Sequence, residues 1–276
     1  MKNYINIFLL IVFPVLLLSQ TSEEIYNSGQ ELIKSAKYND AEKILTDYIA
    51  LCPDSSKGYC DRGTTRLMLK KFEDAINDFN KAIILDSLNY RAFSGRGTTF
   101  LLTNNDSLAK ADIAKALELN PKDVITLSSY ATLQFRDGYV KDAFKSISEC
   151  ININPEYAES YRTRATFFYF IGDTTAALID LNIAIVYAPN DVNMYNTRGA
   201  IYREMQRYSD AIADFNKALE IQPDNAEAYC RRGVSNLYIG NYDNAIEDIE
   251  KGISIEPSLE PLVKKYLDEA KEKKGK

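Results

Sequence analysis

The sequence predicts an all-α protein, a linear solenoid of antiparallel helix hairpins. Three observations carry that expectation: a repeat of fixed length, helical apolar spacing within each repeat, and a charged amphipathic segment at the end. Prolines stand at 53, 121, 155, 189, 223 and 257; the last five are 34 apart, the first gap is twice 34, and Ser87 fills the vacant place. The same frame aligns Ala41, Ala75, Ala109, Ala143, Ala177, Ala211 and Ala245, and likewise Gly29, Gly63, Gly97, Ala131, Ala165, Gly199 and Gly233. Seven repeats result, 22–55, 56–89, 90–123, 124–157, 158–191, 192–225 and 226–259, with no insertion or deletion. A period of this length marks one small unit that cannot hide its apolar face alone and stacks on its neighbours.

The elements follow in chain order. Residues 1–21 read as a secretory signal peptide and short linker: Lys2 precedes a continuous apolar stretch, Ile7 to Leu18, and small or polar residues follow. Twelve residues are short of the roughly 17–25 that a membrane helix needs. The best cleavage position is after Ser19, the alternative being an uncleaved anchor; the first cysteine, Cys52, is too distant for lipid attachment. Within each repeat two segments carry helical apolar spacing, as at Ile76, Phe79, Ala82 and Ile83. The closing proline ends the second helix, and Asn89, Asp123, Asp191 and Asn225 are suited to cap the next one. Turn residues such as Gly172-Asp173-Thr174, Gly240-Asn241 and Asn104-Asn105-Asp106 separate the paired helices. The aligned Gly and Ala are small so that helix axes can approach, and Tyr59, Phe93, Tyr161, Tyr195, Tyr229, Phe79, Leu181 and Phe215 fill the remaining layer. Repeat one carries polar Ser28, and Tyr48 where others have Ala, as befits an edge. Residues 260–276 set Leu262, Val263, Tyr266, Leu267 and Ala270 on one face and charges on the other, a capping helix ending in a basic tail that frays.

The pattern Tyr195-x-x-Arg198-Gly199-x-x-Tyr202, Ala211-x-x-x-Phe215-x-x-Ala218 and Pro223 resembles the tetratricopeptide repeat (TPR), and all seven repeats share it. The resemblance implies a right-handed superhelix with the first helices lining a concave groove, and a role in protein binding. Tyr or Phe replaces the usual Trp, and Arg often replaces the Leu before the glycine. The arginines have a readable cause. Arg62, Arg96, Arg164, Arg198 and Arg232 occur in the same five repeats as Asp78, Asp112, Asp180, Asp214 and Asp248, sixteen residues later. Ser28 with Ile44 and Tyr130 with Ser146 replace the pair in the other two repeats. An Arg–Asp bridge within each hairpin fits all seven repeats, whereas pairing with the preceding repeat's Asp fails in three.

Composition narrows the chemistry. The 276 residues include no histidine, which removes His-dependent nucleophiles, bases and metal sites. A net charge of −6 argues against a phosphate-backbone partner. Pairs such as Glu73-Asp74 and Glu247-Asp248, and Glu159, read as solvated faces, and Gly95-x-Gly97 lies inside a helix with no strand before it, unlike a phosphate loop. No Cys-x-x-Cys occurs; Cys60 and Cys230 share one place in distant repeats, Cys150 takes an alanine place, and only Cys52 and Cys60 could meet in a disulfide. No cofactor or metal is expected.

By the resemblance, the second, fifth, ninth, twelfth and thirteenth places of each repeat face inward. Thr98, Thr132 and Thr166 at the ninth place, with small residues at the fifth, would leave room for an extended peptide. The Lys, Asn and Arg set that some TPR domains use to clamp a terminal carboxylate is missing. Phe167-Phe168-Tyr169-Phe170 spans nearly a full helical circumference, wider than one apolar stripe, so Tyr169 and Phe170 with Arg162 and Arg136 form a candidate aromatic and basic peptide site. The expected function is that of an exported, non-catalytic scaffold for a protein or peptide partner, placed in the periplasm or secreted. The alternatives are a regulatory or recruiting subunit of an envelope enzyme and, more remotely, a carboxylate-dependent hydrolase. No nucleic acid is expected, membrane contact would come only through an uncleaved signal segment, and self-association is open.

Overall fold

A computed structural model describes residues 21–275; the predicted signal stretch and its cleavage position lie outside the described residues. Residues 21–34 form helix α1. There follow α2 (Tyr38–Leu51), α3 (Ser56–Met68), α4 (Phe72–Leu85), α5 (Tyr90–Leu102), α6 (Asp106–Leu119), α7 (Val124–Arg136) and α8 (Val140–Ile153). The series continues with α9 (Ala158–Phe170), α10 (Thr174–Tyr187), α11 (Val192–Glu204), α12 (Tyr208–Ile221), α13 (Ala226–Tyr238) and α14 (Tyr242–Ile255). A 3-10 turn, Pro257–Leu259, leads into α15 (Glu260–Lys274). Among the described residues there is no strand.

The helices gather in two compact units, Met1–Ala143 and Phe144–Lys276, divided inside α8. In the first, consecutive helices from α2 to α7 pack in order; in the second, α9 to α15 do the same. The side chains of Asn89, Asp123, Asp191 and Asn225 each accept a hydrogen bond from a backbone N–H of the helix that follows, satisfying a donor that helix geometry leaves open.

The core is one motif repeated. All seven alanines of the aligned set, Ala41 to Ala245, are fully buried, as are Leu45, Phe79, Ile113, Ile147, Leu181, Phe215 and Ile249 four residues further on. The latter group sets the size of the aligned glycines. A Cβ on Gly63 would stand 2.9 Å from the Phe79 ring, and one on Gly199 2.8 Å from Phe215. What crosses these glycines is the large side chain of the paired helix. At the C-terminal end, α15 buries Leu267 and Ala270 and turns Lys264, Lys265 and Asp268 outward, so a charged face ends the stack.

Every first helix ends the same way. Ala36, Lys70, Asn104, Gly138, Gly172, Gln206 and Gly240, all at the fifteenth place, have positive φ between 55° and 88°. The next N–H reaches back five residues, as in Lys71 N to Arg66 O at 2.9 Å and Arg207 N to Tyr202 O at 2.8 Å, a closure that absorbs the last free carbonyls. Four of the seven places hold a side chain in a backbone region that favours glycine. Gln206→Gly is expected to raise the unfolding free energy measured in urea, and Gly172→Ala to lower it, each by roughly 1 kcal/mol.

Candidate interaction surface

The bridging arginines are held at several points at once. In all five repeats the Arg Nε donates to one carboxylate oxygen of the Asp sixteen residues on, at 2.7–2.9 Å, and Nη2 to the other, at 2.6–2.8 Å. The guanidinium also lies over the ring three residues earlier (Tyr59, Phe93, Tyr161, Tyr195 or Tyr229), with centroid distances of 5.4–5.9 Å. Its remaining nitrogen, Nη1, donates backwards to the preceding repeat: Arg62 to Thr46, Arg96 to Asn80, Arg198 to Asn182 and Arg232 to Asn216. Sequence reasoning missed this last link, although its signal is visible: an amide or hydroxyl sits at the twenty-fifth place one repeat before each of these arginines. The hydrogen bonds to Asp214 hold Arg198 above its usual pKa, while burial pushes the Asp214 carboxyl up against the pull of Arg198. The arginine side chains are 13–23% exposed and the aspartates 4–8%, so these pairs are braces within the hairpins.

The first-helix places divide into exposed and buried sets, one correction to the inward-facing pattern implied above. The fifth place is almost closed off, with Cys60, Ser94, Ser128, Asn196 and Cys230 all buried between neighbouring helices, so it does not form a groove floor. In the first unit, Thr98 shares a hydrogen bond with Ser129 at 2.9 Å and Thr132 donates to the Ser128 carbonyl. Arg136 donates to the Leu101 carbonyl and to Asp106. In the second unit, Thr166 donates to the Arg162 carbonyl, and Arg162 forms a two-point pair with Glu159. Each of the two arginines is therefore offset by a carboxylate of its own, and the expected basic character of the patch is correspondingly reduced.

The four-ring run on α9 is resolved by packing. Phe167 is buried and both it and Phe168 meet Phe144, at centroid distances of 5.8 and 4.8 Å. Tyr169 is partly buried, and Phe170 is 69% exposed with its ring edge-on to Tyr169 at 5.5 Å. Of the residues proposed for peptide contact, Phe170 is the most accessible aromatic on this helix.

A second junction, unforeseen from the sequence, ties together α1, α3 and α5. Asp61, 1% exposed, accepts from Tyr26 Oη and Gln30 Nε2 at 2.5 Å each and from Arg91 Nη2 at 2.8 Å. A carboxylate at this place stands out in the repeat frame, where the others are Asn27, Gly95, Ser129, Thr163, Thr197 and Arg231. Beside it, burial pushes the Cys60 thiol up to about 12; burial likewise pushes Cys230 up to about 11. All four cysteines are free thiols, so Cys52 and Cys60 are not bridged. Among the described residues no group of acids and cysteines is placed to hold a metal ion, and no helix is long and apolar enough to cross a membrane.

Comparison with known families places this geometry. Residues 199–238 match the family described as TPR repeat, and residues 226–259 match the tetratricopeptide repeat. Residues 199–259 are therefore tetratricopeptide repeats, and the described residues have the TPR fold. No curated protein matches it in sequence. Its TPR fold is similar to that in the APC/C hetero-tetramer Cut9–Hcn1 (TM-score 0.71, 16% identity, 88% of this chain and 48% of that one), so it spans about half the length of that relative. A tetratricopeptide repeat protein from Parabacteroides merdae is similar over 91% of this chain and 99% of its own (TM-score 0.61, 19% identity). A monomeric IFIT1 mutant with Gppp-AAAA is similar over 82% and 58% (TM-score 0.65, 18% identity). These identities speak to the fold, and the TPR fold supports a role as a protein–protein interaction scaffold.

The braces generate a sharp expectation. Asp214→Ala strands the Arg198 guanidinium, whose side chain is 19% exposed, and should lower stability by about 2–4 kcal/mol in urea unfolding. Replacing both partners, Arg198→Met with Asp214→Leu, should recover most of that loss, because no charge is then left unpaired.

Proposed function

We propose that this TPR protein is an exported, non-catalytic scaffold that holds a peptide or protein segment along the face made by its first helices. The observation that carries the reading is Phe170, a large ring 69% exposed on a first helix and edge-on to Tyr169, on the same helix as Thr166 and the Arg162–Glu159 pair. Aromatic and arginine side chains are the types that dominate binding energy when a partner covers them. In the first unit, Thr98, Thr132 and Arg136 likewise stand on first helices. Export is supported by the Lys2-led apolar stretch Ile7 to Leu18 with polar residues behind it, and in a double-membrane bacterium it would deliver the protein to the periplasm.

A protein partner is favoured over nucleic acid by charge. The chain carries −6, and Arg136 and Arg162 are already paired with Asp106 and Glu159, which works against displacing phosphate counterions at this patch. The APC/C relative, part of a hetero-tetramer, supports a protein-partner role; the IFIT1 relative, with Gppp-AAAA, does not. A role as the regulatory or recruiting subunit of an envelope enzyme is the same scaffold with a catalytic partner.

Affinity capture from intact envelopes tests the binding face. The wild-type chain should retain a partner that the Tyr169→Ala, Phe170→Ala double variant loses by tenfold or more; equal recovery by both overturns the assignment. If a captured enzyme changes its rate on binding, the regulatory form of the reading is selected. Export has its own test: N-terminal sequencing of the protein from cells should begin near Gln20, and a chain that retains Met1 and fractionates with the cytosol overturns it.

A further inference from the structure

The outer face of α10 differs from its counterparts in the other six repeats. The twenty-sixth place is Asp47, Lys81, Lys115, Glu149, Lys217 or Lys251 elsewhere and Ile183 in repeat five. One turn to either side on the same stripe stand Ile179, 56% exposed, and Val186, 76% exposed, while Ile183 itself is half-buried. The only charged side chain of α10, Asp180, is turned inward and bound by Arg164. Apolar residues at i, i+4 and i+7 make the seam that one helix presents to another, and a solvated helix carries charge there. Ile183 leans partly on the buried cluster of Ala158, Tyr161, Ala184 and Met194, whereas Ile179 and Val186 stand outside the buried clusters of the described residues, so internal packing accounts for the first and not for the other two.

The geometry points to a second copy of this chain as the partner of this face, seated on it through an antiparallel two-fold pairing of α10 with α10. The argument for that occupant is charge. On the repeat-four side the exposed pair is Lys145 followed by Glu149; on the repeat-six side it is Lys217 followed by Glu220, joined at 2.9 Å. Both rims therefore run cation then anion along the chain. A two-fold axis across the seam brings each rim against its own copy in reverse order. Lys145 then meets Glu149 of the second copy, Lys217 meets Glu220 of the second copy, and Ile179 packs on Val186 about a central Ile183. Every rim charge finds its opposite and the charge-free stripe finds a charge-free stripe. An anionic lipid or polynucleotide surface would be opposed by Glu149 and Glu220 as strongly as it is attracted by the two lysines.

Size sets the strength. A 14-residue helix is about 21 Å long and about 10–12 Å across with its side chains, so α10 itself offers roughly 200–250 Å² per copy before its rims are counted. That is below the ~800 Å² per partner of a standard stable interface, so the dimer should be reversible and of micromolar affinity.

Sedimentation equilibrium of the full chain from about 1 to 200 µM tests the inference, with circular dichroism to establish that each variant is folded. Wild type should shift from monomer to dimer across that range. Ile179→Lys with Val186→Lys should stay monomeric throughout. Glu149→Lys with Glu220→Lys, which makes both rims wholly cationic, should weaken the dimer at least tenfold. Reversing each rim (Lys145→Glu, Glu149→Lys, Lys217→Glu, Glu220→Lys) should restore it, which simple loss of fold or of solubility would not do. A chain that remains monomeric at 200 µM overturns the inference, including one that instead binds phosphatidylcholine vesicles through Ile179 and Val186. So does a dimer indifferent to all these substitutions.

Discussion

An arginine cannot be buried beside a helix pair unless its five donors and its charge are answered locally, and this requirement organises the repeat. The guanidinium at the seventh place of five repeats reaches across its own hairpin to an aspartate, lies over an aromatic ring one turn earlier, and in four of the five repeats gives its last nitrogen to the repeat before. The two-point carboxylate bond fixes the spacing and roll of the two helices, because a planar fork tolerates little misalignment. The backward bond transmits that alignment to the neighbouring hairpin. One side chain thus serves as the register mark both within a repeat and between repeats.

Repeat four shows what the chain does without it. Tyr130 and Ser146 replace the pair, Ala114 replaces the backward acceptor one repeat earlier, and Tyr130 is 40% exposed. All three members of the device are absent together, as expected if none is useful alone: an unpaired buried charge is costly, and a lone acceptor has nothing to hold. In the first unit Asp61 supplies a different tie, gathering Tyr26, Gln30 and Arg91 from helices on either side. The surface available to partners is what these internal demands leave over. Phe170 and the stripe of Ile179 and Val186 lie on opposite helices of repeat five, outside the braced layer.

Much of the architecture was legible because it is periodic. Prolines 34 residues apart, aligned alanines and the cap residues Asn89, Asp123, Asp191 and Asn225 each report a local rule that operates within a few residues. The left-handed closure of each first helix was only partly legible. Gly138, Gly172 and Gly240 advertise it, but Ala36, Lys70, Asn104 and Gln206 adopt the same backbone with no glycine to mark it, because packing of the following helix compels the turn. The aromatic run on α9 was equally undetermined, since four rings at 100° steps cover every side of a helix. The position of Phe144 decides that Phe167 and Phe168 go inward and Phe170 goes out.

The sequence by itself determined the 34-residue period, the small residues at the helix crossings and the pairing of Arg with Asp, because each depends on spacing along the chain. Tertiary structure decided which fifth-place residues are closed off, that Arg136 and Arg162 are offset by Asp106 and Glu159, that Asp61 joins three helices, and that Cys52 and Cys60 remain apart as thiols. These depend on distances between side chains remote in sequence. Such distances are set only when helices pack, and a one-dimensional pattern does not contain them.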